Sequence, residues 1–425
     1  MYKSISHLLI ISLVLTSLNV SAQKKLRTKE QLKKAKVYRS INEALAYKRK
    51  VYILNLDGQN LSELPDKIGK LINLQELYLR NNNLSILPDE LWELTNLQKL
   101  MLGENNFNEI PSKIDSLINL KEIDFFDNNI TGIPDNIGNL TKLEKIDLNW
   151  NKVSYVSPEI GKLTNLKYLY LEKNKIKTIP KEIGNLTNLV ELKLYDNQIT
   201  SLPGEIGNLI NLPNLNCGKN NINKIPPEIG KLVNLKILNL SDNKLTGIPQ
   251  ELGLLLNLEE LHLESNSLTK IVGNSLNLPN LKILNLSLNK IYSISITTDR
   301  IKNLQRLDLA VNSLKSVPKS VCNIQSLIYL DVSRNNINKI SSYIAGLKNL
   351  EELNASQNKI YSVTKSINAL TKLQKLDLSS NEIMLMPKEM ATMTELYEVN
   401  LKNNKINNFQ KKQIKSFLPR ITIYF

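Results

Sequence analysis

Leucine and isoleucine recur along this chain in short units. The spacing of these hydrophobic residues changes between the start of each unit and its end. In one such unit, Leu169 and Leu171 alternate with polar or aromatic residues. This period of two predicts a short strand with one buried face. Asn174 follows where the chain must turn, and its side chain can satisfy backbone groups that no sheet ladder pairs. Pro180 and Gly184 then indicate an irregular return segment on the opposite side.

The unit repeats every 23 residues without an insertion. Its turn position runs from Gln59 to Asn404, which lie 345 residues or fifteen steps of 23 apart, so the chain carries sixteen copies. A single copy cannot bury its own apolar face, and we therefore expect the copies to stack into a solenoid. Their strands would form a parallel sheet with a spacing of about 4.8 Å, and this sheet would line the inner curve. Fifteen copies have asparagine at the turn: Asn82, Asn105, Asn128, Asn151, Asn174, Asn197, Asn220, Asn243, Asn266, Asn289, Asn312, Asn335, Asn358, Asn381 and Asn404.

The repeated sequence Leu-x-x-Leu-x-Leu-x-x-Asn-x-Ile-x-x-Ile-Pro-x-x-Ile-Gly-x-Leu-x-Asn resembles the leucine-rich repeat of secreted bacterial proteins, in its 23-residue form. The resemblance covers residues 40–409, and YRSINEAL followed by VYILNLDGQNLSELP is similar to the N-terminal module of those proteins. It implies an α/β fold, a ribonuclease-inhibitor-like solenoid or horseshoe with a parallel inner β-sheet and short helical or irregular outer segments. Because the shared residues are scaffold residues, the resemblance does not identify a ligand.

The first 22 residues have the organisation of a secretory signal peptide. Lys3 supplies a positive charge, and residues 8–18 form an apolar run that is too short to span a bilayer. Small residues end at Ala22, so we predict cleavage before Gln23 and a secreted, periplasmic or cell-surface location. An uncleaved membrane anchor is the alternative, and no transmembrane segment is expected in the mature chain.

Residues 23–50 form a basic leader followed by a predicted N-terminal capping helix. Eleven lysines and arginines face two glutamates there, a formal charge of +9 within a chain of +15. The lysine-rich part, residues 24–36, predicts partial disorder, whereas Ser40 and Glu43 form a capping-box pattern that predicts a helix. The leader is either a solvated cap or a contact for an anionic surface, such as a membrane face or an acidic polysaccharide. Nucleic acid is disfavoured because the charges are not set among stacking aromatic residues.

The sixteen repeats are predicted to occupy residues 51–409 as one continuous domain, with a C-terminal cap at residues 410–425. A hydrophobic content of 42% is sufficient for one core along the whole length. The return segments lose their regular proline and glycine after about residue 258, so the outer face becomes less uniform there. The final apolar run, residues 421–425, predicts an edge strand.

The residues that usually carry chemistry are sparse. Cys217 and Cys322 lie about four and a half copies apart, roughly 20 Å or more, and cannot form a disulfide. Glu260, His262 and Glu264 alternate on one strand, where they would form either a solvated polar surface or, less favourably, a weak metal site or general base. The mature chain contains no second histidine. We therefore predict no enzyme, no cofactor and no metal site.

The concave face is where the sequence predicts function. In the later copies the outward positions are small or polar, and we interpret them as structural: Asn239, Asn285, Asp308, Asp331, Asn354, Asp377 and Asn400. In copies two to seven the outward positions or the adjoining edge are large and mostly aromatic, and they form the candidate ligand-binding set: Tyr78, Met101, Phe126, Trp150, Tyr168, Tyr170 and Tyr195. A contiguous exposed patch of this kind is typical of a binding surface. We predict a non-catalytic scaffold for a protein ligand, with carbohydrate binding or adhesion as the alternative. The rings would otherwise merely stack on one another and protect the sheet.

Overall fold

The computed structural model describes residues 26–425, so the predicted signal peptide lies outside the described residues. In each repeat three residues form a strand, because their middle residue is an apolar side chain that turns inward and its neighbours turn outward. The strands of adjacent copies pair in parallel at a constant offset of 23 residues, as Leu169 does with Leu192 and Leu192 with Leu215. Sequence register therefore becomes spatial register along the whole solenoid.

Among the described residues, eighteen strands form one parallel sheet, and three further pairs lie on the outer side. In chain order the strands are β1 Val37–Tyr38, β2 Ile53–Asn55, β3 Glu76–Tyr78, β4 Lys99–Met101, β5 Glu122–Asp124, β6 Gly132–Ile133, β7 Lys145–Asp147, β8 Tyr155–Val156, β9 Tyr168–Tyr170, β10 Glu191–Lys193, β11 Asn214–Asn216, β12 Ile237–Asn239, β13 Glu260–His262, β14 Lys270–Ile271, β15 Ile283–Asn285, β16 Ser293–Ile294, β17 Arg306–Asp308, β18 Tyr329–Asp331, β19 Lys339–Ile340, β20 Glu352–Asn354, β21 Ser362–Val363, β22 Lys375–Asp377, β23 Glu398–Asn400 and β24 Thr422–Tyr424. The outer pairs are β6–β8, β14–β16 and β19–β21.

Short helical segments make up most of the outer side. The α-helices of the described chain are α1 Lys29–Lys33, α2 Ile41–Ala46, α3 Lys319–Cys322 and α4 Asn408–Phe417. The 3₁₀ turns are Lys48–Lys50, Asp66–Lys70, Asp89–Glu93, Ile114–Ser116, Asp135–Asn139, Pro158–Lys162, Lys181–Asn185, Gly204–Asn208, Pro227–Lys231, Gln250–Leu254, Thr298–Arg300, Ser342–Gly346, Lys365–Ala369 and Lys388–Thr392. The predicted solenoid with a parallel inner sheet and short outer turns is confirmed. None of the helices within residues 26–425 is long and apolar enough to cross a membrane.

One apolar core runs between the sheet and the outer turns. The repeated leucines and isoleucines of every copy, such as Leu171, Ile176 and Ile183, are buried in it. Close stacking of the outer turns requires the repeated glycine. A Cβ atom at Gly184 would lie 2.5 Å from the backbone oxygen of Glu205, so a larger residue there would force two copies apart.

The asparagine column performs the structural role predicted for it. Asn174 Nδ2 donates hydrogen bonds to the backbone oxygens of Leu148 and Leu171 at 2.8 and 3.1 Å. It also donates to the oxygen of Glu172, and its Oδ1 accepts from the backbone N–H of Val153 at 2.9 Å. The side chain thus joins adjacent copies where the sheet ladder ends, which removes the cost of unpaired buried backbone groups.

A second asparagine column joins adjacent copies before most strands of the inner sheet begin. Asn188 Nδ2 donates to the backbone oxygen of Thr164 at 2.9 Å, and Asn211 does the same to Thr187 at 2.8 Å. The sequence signal for this second column is the final asparagine of the 23-residue repeat, whose role sequence reasoning missed.

Both ends of the solenoid carry capping structure. The predicted helix after Ser40 is present as α2, but within the described residues the Ser40 side chain accepts no capping bond. A complete capping box forms instead between Thr28 and Gln31, at the start of α1. This helix lies inside the stretch expected to be partly disordered, and the difference follows from Leu32, which is only 5% exposed. At the other end, the predicted edge strand is confirmed because β24 pairs with β23.

Candidate ligand-binding face

Three rows of side chains project from the inner sheet. The first row contains Tyr168, the second contains Tyr170 and the third contains Glu172, and every other member of a row lies a multiple of 23 residues away. A residue in one row therefore touches the residues 23 positions before and after it in the same row. Each candidate residue has defined neighbours that follow from this offset.

The structure exposes the candidate residues to different degrees. Trp150 is 50% exposed and Tyr168 is 37% exposed. Four others are half-buried: Tyr78, Phe126, Tyr170 and Tyr195. Met101 is only 6% exposed, so the expectation of an exposed methionine is wrong.

Met101 is covered because of its neighbours in the second row. Tyr78 and Asp124 flank it on the adjacent strands β3 and β5. Arg80 Nε donates to Asp124 Oδ2 at 2.7 Å, and this ion pair crosses the strand of Met101. The crossing passes over Gly103, where even a Cβ atom would lie 3.3 Å from Asp124. The missing side chain of the glycine leaves room for the arginine.

The aromatic residues also do not form one continuous patch. Asp124 and Asp147 occupy the second row between Met101 and Tyr170. Burial raises the pKa of Asp147, and the neighbouring Asp124 carboxylate raises it further. The two carboxyl groups divide the candidate set into a small group around Tyr78 and a larger one in copies five to seven. We call the larger group the aromatic cluster: Trp150, Tyr168, Tyr170 and Tyr195.

Tyr170 is at the centre of the aromatic cluster. Its ring centroid lies 6.4 Å from that of Tyr168 in an edge-to-face arrangement. The Nζ atoms of Lys145 and Lys193 lie 4.8 and 4.6 Å from the Tyr170 ring centroid. The Tyr170 hydroxyl donates to Glu191 Oε2 at 2.6 Å. Cation–π contacts and this hydrogen bond hold the ring in place, so the cluster is a preorganised surface.

The electrostatics of the cluster keep the Tyr170 phenol protonated near neutral pH. Burial raises the pKa of the Tyr170 phenol, and Glu191, which accepts its hydrogen bond, raises it further. Burial likewise raises the pKa of the Glu172 carboxyl group. Tyr170 therefore remains a neutral hydrogen-bond donor across the physiological range, surrounded by lysine ammonium groups.

Trp150 lies at the rim of the concave face in an unusual backbone conformation. We call the turn asparagine of each copy, such as Asn174, the ladder asparagine. The residue before it has a positive φ in copy after copy, and Trp150 has φ +57°. Val311 adopts the same conformation with φ +54°, so this geometry belongs to the repeat and not to the tryptophan. Lys173, one copy later, places its ammonium group 3.3 Å from the centroid of the Trp150 indole.

Sequence reasoning missed three charged members of this surface: Lys145, Lys173 and Glu191. The signal was available, because Lys173 follows Trp150 by one repeat. Reading rows at the 23-residue offset would also have found Lys145 and Glu191, because they lie one repeat before and one repeat after Tyr168 in the first row.

The later copies present a different concave surface, whose polar groups bond to one another. Ser241 Oγ donates to Asn239 Oδ1 at 2.7 Å, and Asn354 Nδ2 donates to Asp331 Oδ2 at 2.8 Å. This supports the structural interpretation of the polar rows. Tyr329 is an exception that sequence reasoning missed, and the guanidinium carbon of Arg306 lies 3.8 Å from its ring centroid.

The histidine on this face forms only a pairwise contact. His262 Nε2 lies 3.1 Å from Glu260 Oε2. Burial raises the pKa of Glu264, which lies on the same strand face. Across residues 26–425, no group of three or more histidine, cysteine, aspartate or glutamate side chains is arranged to hold a metal ion.

Comparisons with known families agree with the geometry. The family described as "Leucine-rich repeat region" matches residues 49–159 and 151–221, and "Leucine rich repeat" matches residues 210–268 and 302–360. No curated protein matches the chain.

Solved structures show the same solenoid. A leucine-rich repeat protein of Leptospira interrogans is 37% identical with a TM-score of 0.75, and the alignment covers 92% of this chain and 100% of that one. The plant peptide hormone receptor RGFR1 in complex with RGF2 is 29% identical with a TM-score of 0.64, over 83% of this chain and 63% of the receptor. An internalin from Listeria monocytogenes, 22% identical with a TM-score of 0.56 over 78% and 87% of the two chains, shares the fold.

Proposed function

This chain belongs to the leucine-rich repeat family, and we propose that it is a non-catalytic scaffold that binds a protein ligand through its concave sheet face. The fold is typical of protein-interaction scaffolds, and a similar plant receptor was solved in complex with RGF2. The observation that carries the proposal is the aromatic cluster. It places exposed rings among lysines on a sheet whose later polar rows are satisfied internally.

The ligand contacts are proposed at Trp150, Tyr168, Tyr170 and Tyr195, with Tyr78 and Phe126 at the periphery. Met101 is not among the proposed contacts, because it is buried. From copy two to copy seven the set would span about 25 Å, which matches one side of a standard interface. Tyrosine and tryptophan in such positions tend to dominate binding energy.

A protein ligand fits the cluster better than a sugar does. Stacking of a sugar ring needs a free aromatic face, whereas the ammonium of Lys173 already lies over the Trp150 indole and two lysines flank Tyr170. Acidic side chains of a protein partner would complement these lysines while its apolar groups covered the rings.

The proposed test compares tyrosines at the same row position in the two halves. Tyr168 and Tyr329 both occupy the first row, seven copies apart, and the same residue type is removed in each variant. Crosslinking to host envelope proteins, read by quantitative mass spectrometry, would identify ligands of the wild-type protein. Purified ligand would then be titrated against four proteins: wild type and the single variants Tyr168→Ala, Tyr170→Ala and Tyr329→Ala.

We expect each change in the aromatic cluster to weaken binding by at least about 1 kcal/mol, with the melting temperature nearly unchanged. Tyr329→Ala should bind as wild type does. Equal losses in the cluster variants and in Tyr329→Ala, or a loss of stability with binding intact, would show that the tyrosines are scaffold residues. A glycan array on the same proteins tests the carbohydrate alternative directly.

We also propose that the protein is a secreted or cell-envelope protein of the bacterial 23-residue type. Support comes from the signal-peptide pattern of residues 1–22 and the predicted cleavage before Gln23. Intact mass measurement should find mature protein beginning at Gln23 outside the cytoplasm. A full-length chain confined to the cytoplasm would contradict this.

The basic leader, residues 23–50, remains a candidate contact for an anionic surface. Part of its charge is already paired, since Lys33 and Lys36 lie 2.8 and 2.7 Å from Glu30 and Glu43. Arg27 stacks on the Tyr52 ring at 3.6 Å. These contacts favour a capping role for the described part of the leader.

A further inference from the structure

The outer face changes its charge between the two halves of the solenoid. Eight residues after each ladder asparagine, five consecutive copies carry glutamate: Glu159, Glu182, Glu205, Glu228 and Glu251. In the next five copies the same position is neutral: Asn274, Thr297, Ser320, Tyr343 and Ser366. Lysines near this row on the outer face therefore lie beside glutamates in the first five copies. In the next five copies this row supplies them with no acidic neighbour.

Two adjoining grooves open on the outer side of copies eleven to fourteen. One has a volume of about 620 Å³ and the other of about 460 Å³, and both are lined by Ser316 and Lys319. They form because the outer pairs β14–β16 and β19–β21 lie on either side of copy twelve. That copy returns through α3 and, in the described chain, forms no outer strand, so the outer ladder is interrupted there.

The linings combine hydroxyl groups with ammonium groups. The larger groove adds Lys339, Ser341, Tyr343 and Thr364, and the smaller one adds Tyr292 and Lys315. Among the described residues, neither lining includes an acidic side chain. The aliphatic lining residues, Val317 and Ile340 in the larger groove and Ile294 and Leu314 in the smaller, are buried and provide the floor.

The lysines of these grooves are available to a ligand. Lys315, Lys319 and Lys339 are exposed, and none of them is in an ion pair with another residue of the described chain. The Lys319 ammonium lies 5.1 Å from the Tyr343 ring centroid. Asp331 is the only acid in residues 309–350, and it is buried on the inner sheet. Within the two linings, the positive charge of the lysines therefore has no acidic side chain to compensate it.

We propose that the two grooves form one binding site for an acidic polysaccharide. Carboxylate or sulfate groups of the sugar chain pair with Lys315, Lys319 and Lys339. Sugar hydroxyls exchange hydrogen bonds with Ser341 and Thr364, whose hydroxyl groups both donate and accept.

The dimensions and lining favour a sugar chain over other anions. The ring of Tyr343 is 52% exposed, and its centroid lies 5.1 Å from the Lys319 ammonium, farther than the 3.3 Å between Trp150 and Lys173, so Tyr343 keeps a stacking surface beside the charges. Three steps between copies span about 14 Å at the sheet spacing, enough for about three sugar rings. Among the described residues, the exposed lining has no tryptophan, phenylalanine or leucine of the kind that inserts into a lipid surface.

The test uses two triple variants that remove the same charge from matching template positions. The first is Lys315→Gln, Lys319→Gln and Lys339→Gln. The second, as control, is Lys177→Gln, Lys181→Gln and Lys224→Gln. These six lysines lie three, seven or four residues after their ladder asparagines, and all are exposed. Heparin, a sulfated polysaccharide, and polygalacturonate, a carboxylated one, would be titrated against the full mature chain at physiological salt.

We expect the first triple variant to bind at least one of the two polysaccharides about tenfold more weakly than wild type, since each exposed ion pair contributes roughly twofold. The control variant should bind as wild type does. The polysaccharide that shows this difference identifies the anionic group that the site prefers. Tyr343→Ser should weaken binding of the same polysaccharide, although the charge of the protein is unchanged.

Several results would overturn the proposal. Equal loss in both triple variants would mean that binding follows net charge alone. Unchanged binding in the first triple variant would assign polysaccharide binding to another surface, such as the basic leader. Binding confined to polyglutamate or to phosphatidylglycerol vesicles, with neither polysaccharide bound, would replace the sugar chain by an acidic protein or a membrane.

Discussion

The two halves of the solenoid vary on opposite faces. In copies two to nine the outer turns are nearly uniform, whereas the inner face changes from copy to copy and includes the aromatic cluster. In copies eleven to fifteen the second inner row settles into Asn or Asp and the third into Ser or Ala, and the outer side of copies eleven to fourteen becomes irregular and basic. The core leucines and isoleucines and the turn asparagines are the same in both halves. The repeat therefore restricts only the side chains on which stacking of the copies depends.

Each uniform face has a physical reason for its uniformity. On the outer turns of the first half, a Cβ at the repeated glycine would strike the next copy, as at Gly207, 2.3 Å from the Glu228 oxygen. On the inner rows of the second half, Ser379 Oγ donates to Asp377 Oδ1 at 2.7 Å, so each polar group depends on its neighbour. The variable faces lack such constraints and are the surfaces that can adapt to a ligand.

The largest effect should come from the shared core. Leu171 and Leu309 occupy the same position six copies apart, and both are fully buried. Changing either to alanine should lower the free energy of unfolding by about 2–5 kcal/mol, because a cavity remains in the core. Urea unfolding followed by circular dichroism measures this. A much smaller loss for Leu309→Ala, or separate transitions for the two halves, would mean that the core is not continuous.

A smaller loss is expected when the outer turns are forced apart. Gly184→Ala places a Cβ 2.5 Å from the backbone oxygen of Glu205, and we expect a loss of about 1–3 kcal/mol through overpacking.

The matched control for this change is Gly247→Ala. The Cβ position there has no atom of the described chain within 4 Å. This variant should be neutral or slightly more stable, by up to about 1 kcal/mol, since alanine restricts the unfolded chain. Thermal melts of the two variants test this comparison, and we expect a lower melting temperature for Gly184→Ala than for Gly247→Ala. Equal melting temperatures would contradict tight stacking of the outer turns.

A pH-dependent effect is expected on the inner face of the first half. Burial and Asp124 raise the pKa of Asp147, so the folded protein holds this proton more tightly than the unfolded chain does. The stabilisation is present at low pH and is lost as pH rises from the ordinary aspartate range through the raised pKa. Asp147→Asn should therefore increase stability at pH 7.

The gain from Asp147→Asn should shrink as pH falls, because the wild-type carboxyl group becomes protonated as well. Asparagine can still accept the hydrogen bond that Asp147 Oδ1 accepts from the Asn149 backbone N–H. Urea midpoints at pH 7 and pH 3 test this. A gain of the same size at both values would assign the effect to packing instead of charge.

The smallest effect compares the thiols, one in each half. Cys217 and Cys322 are both buried, and burial raises the pKa of each thiol to about 12. We expect almost no reaction of either with Ellman's reagent in the native protein and two equivalents after denaturation. Rapid reaction of one thiol in the native state would locate an opening in the half that contains it.

The sequence alone determined the architecture of this protein. The unbroken 23-residue period established the parallel sheet, the buried leucines and the role of the asparagine column, because these depend on register and on residue type. It also placed the candidate residues on or beside the concave face, as the alternation around Leu169 requires. Local pattern was sufficient there, since every copy repeats the same contacts.

Only the tertiary structure decided how surface residues from different copies combine. Met101 became buried because Arg80 reaches Asp124 across Gly103, a contact that spans 44 residues and depends on a missing side chain. The same ion pair and Asp147 divide the aromatic set. The outer grooves exist because copy twelve interrupts a ladder formed by its neighbours. Such features depend on the sizes and charges of side chains in adjacent copies, which the repeat pattern leaves free.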